Sequence, residues 1–178
     1  MLTRLGKPAA PGDAVDLLLE CHERIRSFLG LARRIAEAGP SDRTEVPDAA
    51  ARVHRYFTEA LPLHAKDEEE SVLPRLHGQD PRVDAELVAM MHEHAEHEQP
   101  LGVLVRACQL LVREPARYAE GARAIAVATD ELGRHFSVHL RREEEVIFPA
   151  MRRLLDRAAD EEIVKEIRAR RMVPKEQA

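Results

Sequence analysis

The sequence is poor in aromatic residues and cysteine and has no tryptophan, and each shortage narrows the class of protein. Phe, Tyr and Trp together make up 3 % of the chain, which leaves little of the material that β-sheets favour. Cys21 and Cys108 are too few for a disulfide scaffold or a cysteine-rich zinc site. The sequence shows no apolar stretch near the length of a membrane span and no signal peptide at its start. We therefore expect a helical, cytoplasmic protein that does not contact a membrane.

The charge is mild and mixed in sign. The formal net charge is −5, and the basic stretch at residues 168–171 is too short to indicate nucleic acid as a partner. The chain of 178 residues, 44 % of them hydrophobic, is long enough for one domain with a buried core. We expect no nucleic-acid partner, and the sequence identifies no protein partner.

Apolar residues recur every three or four positions in four stretches, which predicts four amphipathic helices. Their approximate ranges are 13–38, 48–77, 83–112 and 116–154. Pro62 and Pro100 lie inside the second and third helices and predict bends there. Short turns between long helices predict an all-α, up-down-up-down four-helix bundle over residues 13–155. A loose arm over 1–12 precedes the bundle, and a tail over 156–178 follows it, which could form one short amphipathic helix and is not assigned to the core.

One unusual motif occurs twice. Residues 64–74 read HAKDEEESVLP and residues 139–149 read HLRREEEVIFP, with the second copy 75 residues after the first. The preceding helices also align, since LLECHERI (18–25) matches MMHEHAEH (90–97) and places His22 against His94. The repeat is therefore two helices long, which predicts a bundle with approximate two-fold symmetry.

The repeat brings histidine and glutamate to the inner face of the bundle. Residues four apart on a helix share a face, so His64 with Glu68, and His139 with Glu143, can point to one layer. His22 and His94 enter that layer from the other two helices. A single buried histidine is usually a satisfied core residue, but two unpaired carboxylates in a core would cost several kcal/mol each. Six matched residues are better explained by metal, and nitrogen with oxygen donors suits a pair of iron, manganese or zinc ions.

Other metal-site motifs do not fit. The Glu-x-x-His pairs of ferritin-like di-iron bundles do not occur in the chain. The His-Glu-x-x-His pattern of zinc proteases fails at His92, because Glu96 stands where the second histidine would be.

The order of the six residues resembles bacterial hemerythrin-like (HHE cation-binding) domains over roughly residues 13–155. These domains carry His, then His-x-x-x-Glu, then Glu-His, then His-x-x-x-Glu with a downstream proline. The resemblance implies a non-haem di-iron centre with an oxo, hydroxo or water bridge. It assigns His22 and His64 to one iron, His94 and His139 to the other, and Glu68 and Glu143 to both. Zinc and manganese are alternative occupants of the same residues.

Two departures from oxygen-carrying hemerythrins are informative. Met90 stands where the carriers have a fifth histidine, and Glu143 follows His139 by four residues rather than five. His97 or His135, each one turn from a predicted ligand, would replace the lost ligand, or both would be polar boundary residues. Beside the metals we expect a pocket for the small ligand, which these two histidines line together with Ile25 and Phe136.

The resemblance implies a protein that binds or reacts with O2, peroxide or nitric oxide. Imidazoles near the metal can donate protons, which favours redox turnover, iron handling or sensing over reversible oxygen carriage. Peroxide decomposition or oxidase activity is one form this would take, although the sequence identifies no catalytic residue. The alternatives are a non-catalytic sensor or interaction module stabilised by metal, and a bundle without metal.

Overall fold

The computed structural model describes residues 12–39 and 41–172. Within these ranges the chain forms five helices and no strand, so the all-α prediction is confirmed. Helix α1 is Ala14–Ala36, α2 spans residues 46–76, α3 is Pro81–Arg113, α4 spans residues 118–154, and α5 is Arg157–Met172. A 3-10 turn, Pro115–Arg117, precedes α4. Most of the predicted arm, and the end of the tail from residue 173, lie outside the described residues.

The helix ends follow local chemistry. The Asp13 carboxylate accepts a hydrogen bond of 2.8 Å from the backbone N–H of Asp16, as expected for the N-cap of α1. Asp80 does the same for α3, where its carboxylate accepts from the N–H of Arg82 at 2.9 Å. Gly78 has a φ of +80° in the turn between α2 and α3, a conformation that glycine adopts without strain.

Helices α2 and α4 contain wide π-helical turns that precede prolines. In α2 the π-helical segments are Tyr56–Ala60 and Asp67–Val72, and in α4 the segment is Glu143–Ile147. Each ends two residues before a proline: Pro62, Pro74 or Pro149. Proline lacks an N–H and its ring clashes with the carbonyl four residues earlier, and the wider turn relieves that clash. Pro62 follows a π-helical turn, and α3 stays helical through Pro100.

The bundle core consists of two apolar clusters with a polar layer between them. One cluster contains Ile25, Leu104 and Leu132, and the other contains Leu18, Leu87 and Ile147. Along α1, α2 and α3, a histidine of the predicted site separates the residues of one cluster from those of the other, and along α4 Glu143 does so. The helices therefore carry the predicted metal ligands to a single level, near the middle of the bundle.

Helix α5, whose residues the sequence does not assign to the core, packs on the bundle. Ile163 and Ile167, four residues apart on one face, are buried in the second apolar cluster. Arg171 donates a hydrogen bond of 2.7 Å to the Asp67 carboxylate, and Arg170 donates one of 3.0 Å to its other oxygen. Asp67 is completely buried and precedes Glu68 in the π-helical turn. The C-terminal helix therefore holds the segment that carries one of the predicted bridging ligands.

No helix among the described residues is long and apolar enough to cross a membrane.

Replacing both Arg170 and Arg171 with alanine should destabilise the protein strongly. Asp67 would then be a buried carboxylate without a cation, a change that typically costs about 3–5 kcal/mol. Urea unfolding of the variant and the parent protein measures this difference. Arg168→Ala, on the exposed face of the same helix, is the matched control and should shift the free energy of unfolding by less than about 0.5 kcal/mol. A double variant as stable as this control would contradict the role of the pair.

Candidate metal centre

The structure brings the six predicted ligands together in the polar layer. All but His94 are at most 3 % exposed, and the His94 side chain is 14 % exposed. His22 comes from α1, His64 and Glu68 from α2, His94 from α3, and His139 and Glu143 from α4. Glu68 and Glu143 lie in π-helical turns, and such turns are frequent at functional sites.

Each carboxylate lies between two imidazoles. In Glu68, Oε1 is 3.1 Å from His64 Nε2 and Oε2 is 3.2 Å from His94 Nε2. In Glu143, Oε2 is 2.9 Å from His22 Nε2 and Oε1 is 3.2 Å from His139 Nε2. The two glutamates thus connect one pair of histidines to the other in the same way.

These contacts define two groups of four donors that share both glutamates. The first group is His22, His64, Glu68 and Glu143, and the second is Glu68, His94, His139 and Glu143. Within each group the donor atoms lie within 4.8 Å of one another. Two ions bridged by both carboxylates would use every residue of the two groups. The pairing of histidines is the one that the family resemblance implies.

The donor atoms fit metal ions better than they fit each other. All four oxygens of Glu68 and Glu143 are buried without a hydrogen bond, as are the Nε2 atoms of His22 and His64. The separations of about 3 Å are short enough for hydrogen bonds, but the atoms are not oriented towards one another as donors and acceptors. Unpaired buried carboxylates are costly, and coordination to metal removes this cost. The protein is therefore built to bind metal at this layer.

Three further glutamates form hydrogen bonds with three of the four imidazoles, at the ring nitrogen that faces away from the centre. The Nδ1 atoms of His22 and His94 lie 2.7 Å from Glu144 and Glu69, and that of His139 lies 2.9 Å from Glu93. A carboxylate only accepts, so each Nδ1 donates its proton and leaves Nε2 free to bind metal.

Arginines complete two of these arrangements. Arg26 donates to Glu144 at 2.7 Å, and Arg142 lies 3.2 Å from Glu93. The sequence repeat places Glu69 and Glu144 at equivalent positions, each directly after a predicted bridging glutamate. It did not single out Glu93, because its partner His139 is on another helix and no local spacing links them.

Burial and charge shift the proton affinities of the site. Burial, and after it the neighbouring charge of Glu143, raises the pKa of Glu68. Burial disfavours the His94 cation, but the close carboxylates of Glu68 and Glu69 outweigh it and raise the pKa of His94 to about 9. His64 is fully buried among other imidazoles, which together hold its pKa well below the usual value. The Glu68–His94 pair therefore holds at least one proton at neutral pH in the absence of metal.

His97 and His135 lie close together beside the centre but belong to neither group of donors. Their ring centroids are 5.8 Å apart, and the His97 ring stacks on Phe136 at 4.3 Å. Burial, with the nearby imidazoles, lowers the pKa of His97 to about 3. His97 is therefore neutral at physiological pH. Met90 is fully buried in the second apolar cluster, on the opposite side of the layer.

A cavity of about 420 Å³ reaches the centre from the surface between α2 and α3. His64, His94 and His139 line its inner part, together with His97 and Phe136. Its apolar walls include Phe57, Leu61 and Leu101. Ile25 and His135, which were expected in the ligand pocket, are not among the lining residues, and Ile25 is fully buried in the first apolar cluster.

Four imidazoles and two shared carboxylates on the helices of one bundle define a metal-binding four-helix-bundle protein. The family model of the hemerythrin HHE cation-binding domain matches residues 13–116. Because this match covers more than half of the sequence, the chain belongs to the hemerythrin HHE cation-binding domain family. A comparison with curated proteins gives no match. The matched range ends before α4, so the place of His139 and Glu143 in the site rests on the structure and the repeat.

Metal binding should release protons and become tighter as the pH rises. The proton held by Glu68 and His94 must leave before both can coordinate, because metal ligands are deprotonated. Zinc titration by calorimetry at pH 6, 7 and 8, in buffers of different ionisation enthalpy, should show at least one proton released per chain at pH 7. Glu145→Gln, at an exposed neighbour of Glu144, should give the same result as the parent protein. Affinity independent of pH over this range would contradict the assignment.

Proposed function

We propose that this chain is a non-haem di-iron protein that binds or reacts with O2, peroxide or nitric oxide. The observation that carries the proposal is the pair of four-donor groups sharing Glu68 and Glu143. Imidazole and carboxylate donors together suit iron, with zinc and manganese as alternative occupants. An oxo, hydroxo or water bridge would complete the centre. A pair of ferrous ions bound there would supply two electrons to a small oxidant.

The protein's own residues would keep the centre compact and its ligands oriented. The negative charges of Glu68 and Glu143 offset part of the charge of two divalent ions in a buried layer. Three of the imidazoles are fixed through their Nδ1 atoms by Glu144, Glu69 and Glu93. These hydrogen bonds would keep the imidazole rings oriented towards the metal when an ion changes its charge.

The cavity supports turnover or sensing rather than long-lived oxygen carriage. It is open to the surface and reaches His64, His94 and His139, so small molecules and water both have access to the centre. His97 is neutral, and its ring N–H can donate a hydrogen bond to a small ligand in the cavity. Access of water and of hydrogen-bond donors favours proton transfer to reduced oxygen, which shortens the life of a reversible oxygen complex.

The proposed place of action is the cytoplasm. Cys21 and Cys108 are both free and buried, which suits a reducing compartment in which disulfides are rare. The small ligand is the only partner that the proposal requires.

Elemental analysis of protein made in iron-rich medium is the direct test. We expect two irons per chain, and consumption of peroxide, O2 or nitric oxide by the reduced protein. His64→Ala and Glu143→Gln each remove donors from the centre and should lose both the paired iron and the reaction. Glu145→Gln should keep both. Folded parent protein with neither iron nor another metal would contradict the proposal, while two irons without reaction would favour storage or sensing.

The contact between α5 and the centre favours a second candidate, a sensor whose metal state alters its C-terminal surface. Asp67 connects Arg170 and Arg171 directly to the turn that carries Glu68. A shift of Glu68 on metal binding would therefore act on α5. We expect hydrogen exchange of the α5 backbone amides to slow when iron binds. Unchanged exchange throughout α5, with exchange slowed in the π-helical turn of α2, would exclude this candidate and leave the reactive centre.

A further inference from the structure

The two halves of the bundle place equivalent residues around the two metal positions. The repeat aligns α1 with α3 and α2 with α4, so His22 corresponds to His94 and His64 to His139. The supporting glutamates obey the same relation. Glu144 of α4 holds His22 of α1, and its equivalent Glu69 of α2 holds His94 of α3.

The relation fails at one residue. His139 is held by Glu93, the residue that precedes His94. The equivalent of Glu93 in the first half is Cys21, the residue that precedes His22, and a cysteine cannot supply a carboxylate. His64, the equivalent of His139, is 3 % exposed, and its Nδ1 is buried without a hydrogen bond. Three of the four imidazoles are thus supported by carboxylates, and His64 is not.

The surroundings of Cys21 do not replace the missing carboxylate. The Cys21 sulfur lies 3.3 Å from an Arg24 nitrogen and 3.6 Å from an Arg171 nitrogen. Both neighbours are cations, which disfavour additional positive charge near His64. By contrast, Arg26 and Arg142 contact glutamates that already hold an imidazole. The metal position of His22 and His64 therefore has one supported imidazole, and the position of His94 and His139 has two.

We propose that the two positions have unequal affinities for metal. The cause is that Cys21 stands where the other half of the bundle has the carboxylate of Glu93. Loss of a supporting partner typically lowers metal affinity about 10–100-fold. The ion held by His94 and His139 therefore binds first, and the ion held by His22 and His64 binds second and leaves first. Glu93 acts as a positioning residue for the tight position. This inference rests on the proposed two-ion centre.

Unequal positions would give the chain a stable one-ion state at low metal concentration. The second ion would then fill or leave over a higher concentration range, without loss of the first. Such a centre can report metal availability through the occupancy of a single position.

Stepwise titration with Co2+ under anaerobic conditions tests the inference, because cobalt absorbance and calorimetry follow each ion without any measurement of turnover. For the parent protein we expect two dissociation constants that differ about 10–100-fold beyond the statistical factor. His64→Ala should keep one tightly bound ion, whereas His139→Ala should keep only one weakly bound ion.

Two matched variants should move the gap between the dissociation constants in opposite directions. Glu93→Ala removes the support of His139, so the tight step should weaken about 10–100-fold and the gap should close. Glu144→Ala removes the support of His22, so the weak step should weaken and the gap should widen. Cys21→Glu offers His64 the missing carboxylate and should strengthen the weak step. Circular dichroism establishes that each variant is folded. Any one folded variant of the three is enough to show whether the gap between the dissociation constants changes as expected.

The outcomes separate this inference from the proposed function. Two ions bound with equal affinity, or a gap that widens in Glu93→Ala, would overturn the inequality and leave the two-ion centre intact. Fewer than two ions bound at saturating cobalt would overturn the two-ion centre itself, and the inference with it.

Discussion

The structure depends on the burial of two carboxylates at the middle of a helical bundle. Glu68 and Glu143 are almost inaccessible to water, and none of their oxygens has a hydrogen bond within the protein. Apolar residues at these positions would give a more ordinary core, so the arrangement is stable only if something else satisfies the oxygens. Bound metal explains the surroundings of these oxygens. Imidazoles lie next to both carboxylates, further carboxylates hydrogen-bond three of the imidazoles, and an apolar cluster lies on each side of the layer.

The π-helical turns show how an ordinary bundle presents these groups. A regular α-helix fixes residues four apart on one face, and the sequence spacing of His64 with Glu68 relies on that geometry. The prolines that follow force the backbone to widen after each histidine, at the glutamate itself. In both turns a backbone hydrogen bond runs from the residue before proline to the carbonyl of the bridging glutamate, five residues earlier. The same glutamate thus accepts a backbone hydrogen bond of the wide turn and is a donor to the site.

Much of this could be predicted from the sequence, because the relevant spacings are local. The apolar periodicity predicts the four bundle helices and the residues that face the core. The repeated motif predicts the pairing of His64 with Glu68. Three features could not be predicted. Glu93 contacts His139 across two helices, α5 docks through residues far along the chain, and a proline within a helix does not say whether the backbone bends or widens. Ile25 was expected in the ligand pocket, but small rotations of α1 decide whether a residue on its inward face lines a cavity or fills a core.

The docking of α5 also imposes an order on the assembly of the protein. Asp67 is separated from Arg170 by 103 residues, so the Asp67 carboxylate has no access to this cation until α5 has been synthesised. Before α5 is made, the turn that carries Glu68 therefore contains the Asp67 carboxylate without its arginine partners, although the earlier helices can already pack. On the ribosome, the first apolar cluster can therefore form before α5 is available, whereas the second cluster and the turn that carries Glu68 gain their last contacts only when α5 docks.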